Sequence, residues 1–263
     1  MPSDRPGRAH PDTGGLRPAW VAAFVGGEIV GFLPPALAGV GFVALGAPPL
    51  VLVLVLTAAG ALEGAALGST QALVLRRYAP RVDARWWVVA TAAAAAFAWF
   101  VGMAGGAMLA RPGAWGVVEM LALIPVWVAA LTAMGWAQWL VLRRAVSASG
   151  RWVPVTTGAW LLAVTIPVVA VSVVPNAWWI PAQVAVGVAS AAAMGAVAGL
   201  LTGGTLARLL ARSPAPVAAD AAADPAAHKA AGAPTAVDSP AAPPPSTDRH
   251  RARRVDGRSG SRS

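Results

Sequence analysis

Apolar residues run almost without a break from Trp20 to Leu210, and the charges that interrupt the run fall in a few short clusters. A helix needs about 20 mostly apolar residues to cross the hydrocarbon core of a bilayer. Divided at the charge clusters and at Pro/Gly turns, the run predicts spanning helices at about 19–45, 48–75, 86–109, 116–142, 152–174 and 179–210. The first division is the least marked. Only Gly46, Ala47, Pro48 and Pro49 separate two apolar runs, and Pro34-Pro35 interrupts the first of them, which admits a kinked or re-entrant segment. A signal peptide is the competing reading there, with a basic lead, an apolar centre and Ala36-Leu37-Ala38 as a cleavage site. Against it stand Glu28 inside the apolar centre and the continuation of the run past Ala38.

Outside the run the composition changes. Residues 1–18, with Pro2, Pro6, Pro11, Gly14 and Gly15, hold too little apolar surface to fold and predict a disordered basic lead. Residues 213–263 predict a disordered, Pro/Ala-rich cytoplasmic tail that ends in Arg249, Arg251, Arg253, Arg254, Arg258 and Arg262. Residues 19–212 between them form the transmembrane domain. Over the whole chain 57% of residues are hydrophobic and 12% charged, against about 45–50% and about 25% in a soluble domain. A water-soluble fold could not cover that much apolar surface, so the expected fold is all-α: a polytopic transmembrane helix bundle of about six spans with disordered termini.

Arginine sets the expected orientation, because cytoplasmic loops carry the excess of Lys and Arg. One side receives Arg5, Arg8, Arg17, Arg76, Arg77, Arg81, Arg85, Arg143, Arg144, Arg151, Arg208 and Arg212, and the other receives Arg111. Both termini and the second and fourth loops are therefore expected in the cytoplasm, which requires an even number of spans. Trp20, Trp86, Trp87, Trp115, Trp152, Trp178 and Trp179 fall near predicted span ends, where an amphipathic ring prefers the headgroup level. The strong bias of Arg over the single Lys, with abundant Ala, Gly and Pro, suggests a GC-rich coding sequence and a bacterial cytoplasmic (inner) membrane.

The most specific signal is an internal repeat. Gly68-Ser-Thr-Gln71-Ala-Leu-Val-Leu-Arg76-Arg77 matches Gly135-Trp-Ala-Gln138-Trp-Leu-Val-Leu-Arg143-Arg144 at seven of ten positions, 67 residues apart. After each copy comes a polar loop and a restart, Arg85-Trp86 through Thr91 against Arg151-Trp152 through Thr157, so the unit is a helix pair and the two units are parallel. Convergence explains the arginines and apolar positions but not the recurrence of Gly and Gln at the same distances from the double arginine. A third copy near Gly199 to Arg212 is degraded and has no Gln. The pattern G-x-x-Q-W-x-x-L-R, carried by Gly135, Gln138, Trp139, Leu142 and Arg143, resembles a motif repeated in uncharacterised bacterial multi-pass membrane proteins. The first copy departs from it with Ala72 in place of Trp, the likeness covers at most residues 60–165, and it implies an architecture without an activity.

Candidate chemistry is sparse. Glu28 lies 11 residues past Arg17 and Glu63 lies 13 before Arg76, roughly 16 and 20 Å of helix at about 1.5 Å per residue. Both are thus near the midplane, where a charge costs at least about 2.5–3.5 kcal/mol on insertion scales. Their similar depth allows a shared proton or a joint cation site between the first two spans. The plain alternative is that each is protonated and bonded to a neighbouring helix. Glu119 falls near the outer surface, in reach of Arg111. Gln71 and Gln138 are placed for hydrogen bonding across helices, and Gln71 shares a helix face with Glu63, so that Thr57, Ser69 and Thr70 could extend a polar stripe. Gly60, Gly64 and Gly68, and Gly195, Gly199 and Gly203, make faces for close helix approach, with shorter versions at Gly27/Gly31 and Gly102/Gly106.

Absences bound the function. The chain has no Cys, and His10, His228 and His250 all lie in the tails. Thiolate chemistry and an embedded His base are therefore excluded, while a Glu- or Arg-based activity stays open. Asp83, in a basic loop, is the sole Asp near the membrane. No catalytic residue, metal or cofactor is expected. The expected partner is the lipid bilayer; the glycine faces suit helix association either within the chain or with a membrane protein or second copy. The terminal arginines suit anionic lipid, and no specific nucleic acid is expected. The leading expectation is a non-enzymatic structural, assembly or regulatory membrane component; the alternative is a small secondary transporter or ion-coupled permease that uses Glu28 and Glu63.

Overall fold

The computed structural model describes residues 13–109, 116–173 and 179–212. These form six long helices: α1 (Leu16–Ala44), α2 (Pro49–Tyr78), α3 (Ala84–Leu109), α4 (Val117–Leu142), α5 (Trp152–Val173) and α6 (Ile180–Arg212). All six are long and apolar enough to cross a membrane, and the described residues contain no strand. Every helix end lies within three residues of the bound read from the sequence. The protein is an integral membrane protein with an all-α bundle.

Local chemistry sets several ends. Gly46, with φ of +62°, turns the chain after α1, a conformation without penalty for a residue lacking Cβ. Pro49 then opens α2 at a position where the missing N–H costs nothing. Asp83 caps α3, its Oδ1 accepting from the backbone N–H of Arg85 at 3.0 Å and of Trp86 at 3.2 Å. A short 3-10 turn, Ser149–Arg151, leads into α5.

Two expectations about the first segment change. Residues 13–18 are not part of a disordered lead: Thr13–Gly15 form a 3-10 turn and α1 begins at Leu16, which is fully buried. Residues 16–44 then run as one helix through Pro34-Pro35 rather than as a re-entrant segment. Residues 1–12 and 213–263, read as disordered, lie outside the described residues, as do Arg111, Trp115 and Trp178.

Each helix packs on the next in sequence and α6 returns to α1, closing a ring. The start of α1, the ends of α2, α4 and α6, and the starts of α3 and α5 meet at one end, where a buried cluster joins Leu16, Trp20, Leu75, Trp87, Leu142 and Trp152. All described arginines belong to this arginine end. Outward positions such as Leu54, Leu62, Leu73, Leu162 and Leu200 are exposed, as expected where the solvent is lipid rather than water. The polar side chains Glu28, Gln71, Thr91, Gln138 and Thr202 are buried inside.

The glycine faces are used within the chain. A Cβ on Gly64 would sit 2.5 Å from Ala95 Cβ and 2.8 Å from the Thr91 carbonyl, and Gly60 is covered by the Trp99 ring. Gly195 and Gly199 meet Phe24 and Val21, and Gly203 meets Trp20. Of the two uses expected for these faces, contact within the chain and contact with another subunit, the structure shows the first at these positions. Gly102 and Gly106 behave differently, with no atom within 4 Å of a Cβ placed on either. That pair does not form a packing face.

Candidate functional site

Three tryptophans form the floor of the site. Trp20, Trp87 and Trp152 start α1, α3 and α5 and are fully buried. Their rings meet edge to face with centroids 6.2, 6.2 and 5.9 Å apart, a geometry that sets the positive edge of one ring on the negative face of another. They are not headgroup anchors as the sequence suggested; Trp86 and Trp179, both exposed, keep that description.

Each indole donates to the helix that precedes it around the ring. Trp87 Nε1 donates to Gln71 Oε1 at 2.8 Å, Trp152 Nε1 to Gln138 Oε1 at 3.2 Å, and Trp20 Nε1 to Thr202 Oγ1 at 2.9 Å. Gln138 Nε2 donates in turn to Thr91 Oγ1 at 3.1 Å, with Gln71 Oε1 at 3.4 Å. The two glutamines singled out by their recurrence therefore sit in one network. With no water to satisfy them, these groups hold the helices in register.

Three helix contacts share one geometry. Trp87, rather than Trp86, stands to Gln71 as Trp152 stands to Gln138, and Thr91 and Thr156 each lie four residues further on. Thr202, three residues after Gly199, stands where the other pairs carry Gln. Gly68, Gly135 and Gly199 then press on Val88, Val153 and Val21, each the residue after a triad tryptophan. In the third contact the tryptophan comes from α1, far away in sequence.

Above this floor lies a cavity of about 350 Å³ bounded by all six helices and partly open to the outside. Glu28 on α1 and Glu63 on α2 both line it, with Phe32, Trp99, Trp127 and Trp160. Glu28 is eight residues past Trp20, about 12 Å along the helix. It is 0% exposed, and no N–H or hydroxyl donor reaches its carboxyl oxygens, whose hydrogen-bonding neighbour is the Glu63 carboxyl group. Glu63 accepts from Trp99 Nε1 at 2.6 Å. Trp160 Nε1 is buried without a partner. Arg, Lys and His are missing from this wall. A second cavity, also about 350 Å³, lies among α1, α2 and α3 beside Gly106, and Met103 belongs to the walls of both.

The structure thus brings Glu28 and Glu63 together and separates them from the glutamines. No polar stripe runs down α2. Thr57 and Ser69 bond to carbonyls of their own helix, Val53 and Ala65, while Thr70 bonds across to the Ala23 carbonyl. Arg76, Arg77, Arg143 and Arg144 are exposed at the arginine end, with Arg77 over the Tyr78 ring and Arg143 over the Trp139 ring. The side chain of Glu119 lies outside the described residues. Sequence reasoning missed Trp99, Trp127 and Trp160, which sit mid-helix and recur at no motif spacing. No group of His, Asp or Glu among the described residues is arranged to hold a metal ion. Comparison with family models, curated proteins and solved structures returned no match.

Proposed function

We propose that the protein is a small membrane permease in which Glu28 and Glu63 exchange a proton or a cation. One observation carries this reading: two carboxyl groups from different helices, both near the middle of their spans, line a single cavity that no basic residue enters. Ionisable residues at that depth are expensive to insert and mark pathways or binding sites when they face an interior space. A structural or assembly role rests on less, because the glycine faces that favoured it are covered within the chain. In the same reading the helix-pair repeat extends to three pairs, α2–α3, α4–α5 and α6–α1. The arginine end faces the cytoplasm of a bacterial cell, and reporter fusions at residues 80 and 147 check that orientation.

The test is flux in proteoliposomes. Purified protein is reconstituted with an entrapped pH indicator, a proton gradient is imposed, and candidate cations are added outside. We expect dissipation faster than in empty vesicles, reduced at least tenfold in the Glu28→Gln/Glu63→Gln double variant. Vesicles carrying native protein that leak no faster than empty ones, for every cation offered, would overturn the permease.

A further inference from the structure

The walls of the cavity specify more than an acid pair. We propose that it is a binding site for an organic cation with an apolar body, such as a substituted ammonium group carrying an aromatic or alkyl substituent; this deepens the reading of Glu28 and Glu63 above and rests on it. Four rings, Phe32, Trp99, Trp127 and Trp160, share the wall with the two carboxyl groups. Aromatic faces attract cations through the ring quadrupole, and a cage of rings is how proteins recognise quaternary ammonium groups, which have no N–H to donate.

A bare metal ion fits these residues poorly, since hard cations need six or more oxygen ligands and the wall offers two carboxyl groups among apolar side chains. An anion meets two acids and no base. A purely apolar chain would fill the volume, but it would bring neither donor nor charge to the Glu28–Glu63 pair, and buried polar groups left under-satisfied are costly. An organic cation answers all three features at once: charge for the carboxylate, a body for the apolar wall, and soft contact for the rings. The size agrees, since pockets for small molecules run from about 300 to 1,000 Å³. The adjoining cavity among α1, α2 and α3 shares Met103 with this one.

Binding is measured on full-length protein in lipid nanodiscs with radiolabelled benzyltrimethylammonium, using neopentylbenzene as competitor. The two molecules have the same shape and differ by one positive charge. We expect saturable binding near one per chain, little displacement by neopentylbenzene, and at least tenfold weaker binding in Glu28→Gln. Gly102→Leu gives a second handle, since Gly102 lines the cavity and a Cβ there meets no atom, leaving room for a larger side chain to occupy ligand space. It is expected to weaken binding at unchanged thermal stability. Non-saturable uptake, equal displacement by the neutral molecule, or native affinity in both variants would overturn the cation site. If protons still pass through Glu28 and Glu63 while the organic cation fails to bind, the permease stands and this inference falls. If it binds and nothing is transported, the site stands and the permease falls.

Discussion

The two halves of the bundle are built from the same six helices and do opposite things with them. At the arginine end, glycines let backbones touch, three tryptophans fill the axis, and every indole N–H of the triad has an acceptor. Beyond Glu28 and Glu63 the axis is open: Gly102 and Gly106 meet nothing, and the α3–α4 and α4–α5 seams are the least extensive in the ring. The difference teaches that small residues in a membrane helix have two uses. Where a neighbour moves in, they bring helices together; where none does, they leave room for something that is not protein.

The sharpest way to break this comparison is to empty the packed half. Trp87→Ala removes a ring that touches Trp20 and Trp152 and leaves Gln71 Oε1 with the longer 3.4 Å contact from Gln138 Nε2 alone. Loss of a buried Trp costs about 3–5 kcal/mol. Trp127→Ala in the cavity wall should cost less than half as much, because it enlarges a space that exists already. Thermal unfolding of both variants in one detergent gives the ratio; equal losses would mean that the triad is no more a keystone than any other aromatic.

A smaller effect tests the polar network. Gln138→Leu keeps the volume and deprives Trp152 Nε1 and Thr91 Oγ1 of their partner. Hydrogen bonds between membrane helices contribute about 0.6 kcal/mol on average and up to about 2, so the expected loss is about 1–2 kcal/mol. Restoring the acceptor with Gln138→Glu at low pH, where the carboxyl group is neutral, should recover part of it. A Leu variant as stable as the native protein would show that ring packing alone sets the register.

Much of the fold was legible because lipid imposes a simple rule: every backbone group must be satisfied within its own segment, so apolar runs and charge clusters mark helices almost to the residue. The recurrence of Gln71 and Gln138 was legible too, and it led to a shared network. The triad was not. Trp20, Trp87 and Trp152 lie near span ends, where a tryptophan on the surface and one in the core have the same sequence neighbours. Exposure separates Trp86 from Trp87, and nothing local does. The third indole contact was hidden because its acceptor is Thr202 rather than a Gln and because its tryptophan lies 182 residues earlier. For the site, depth alone placed Glu28 and Glu63 at one level, but depth cannot say that they share a cavity. That depends on Phe32, Trp99, Trp127 and Trp160 converging from four different helices.

The smallest expected change sharpens the comparison most cleanly, because it asks the same question of two glycines. Gly106→Ala adds a methyl group where nothing lies within 4 Å. Alanine also loses less backbone freedom in a helix, so the variant should match or exceed the native stability by up to about 1 kcal/mol. Gly64→Ala adds the same methyl group against Ala95 Cβ and the Thr91 carbonyl, and the backbone behind that carbonyl cannot yield without parting α2 from α3. It should destabilise, since overpacking typically costs about 1–3 kcal/mol. The sign is the measurement: opposite shifts in unfolding temperature mark a helix that is clamped at one end and free at the other. A loss at Gly106 equal to that at Gly64 would mean that the helices close around Gly106 in the membrane, removing the second cavity.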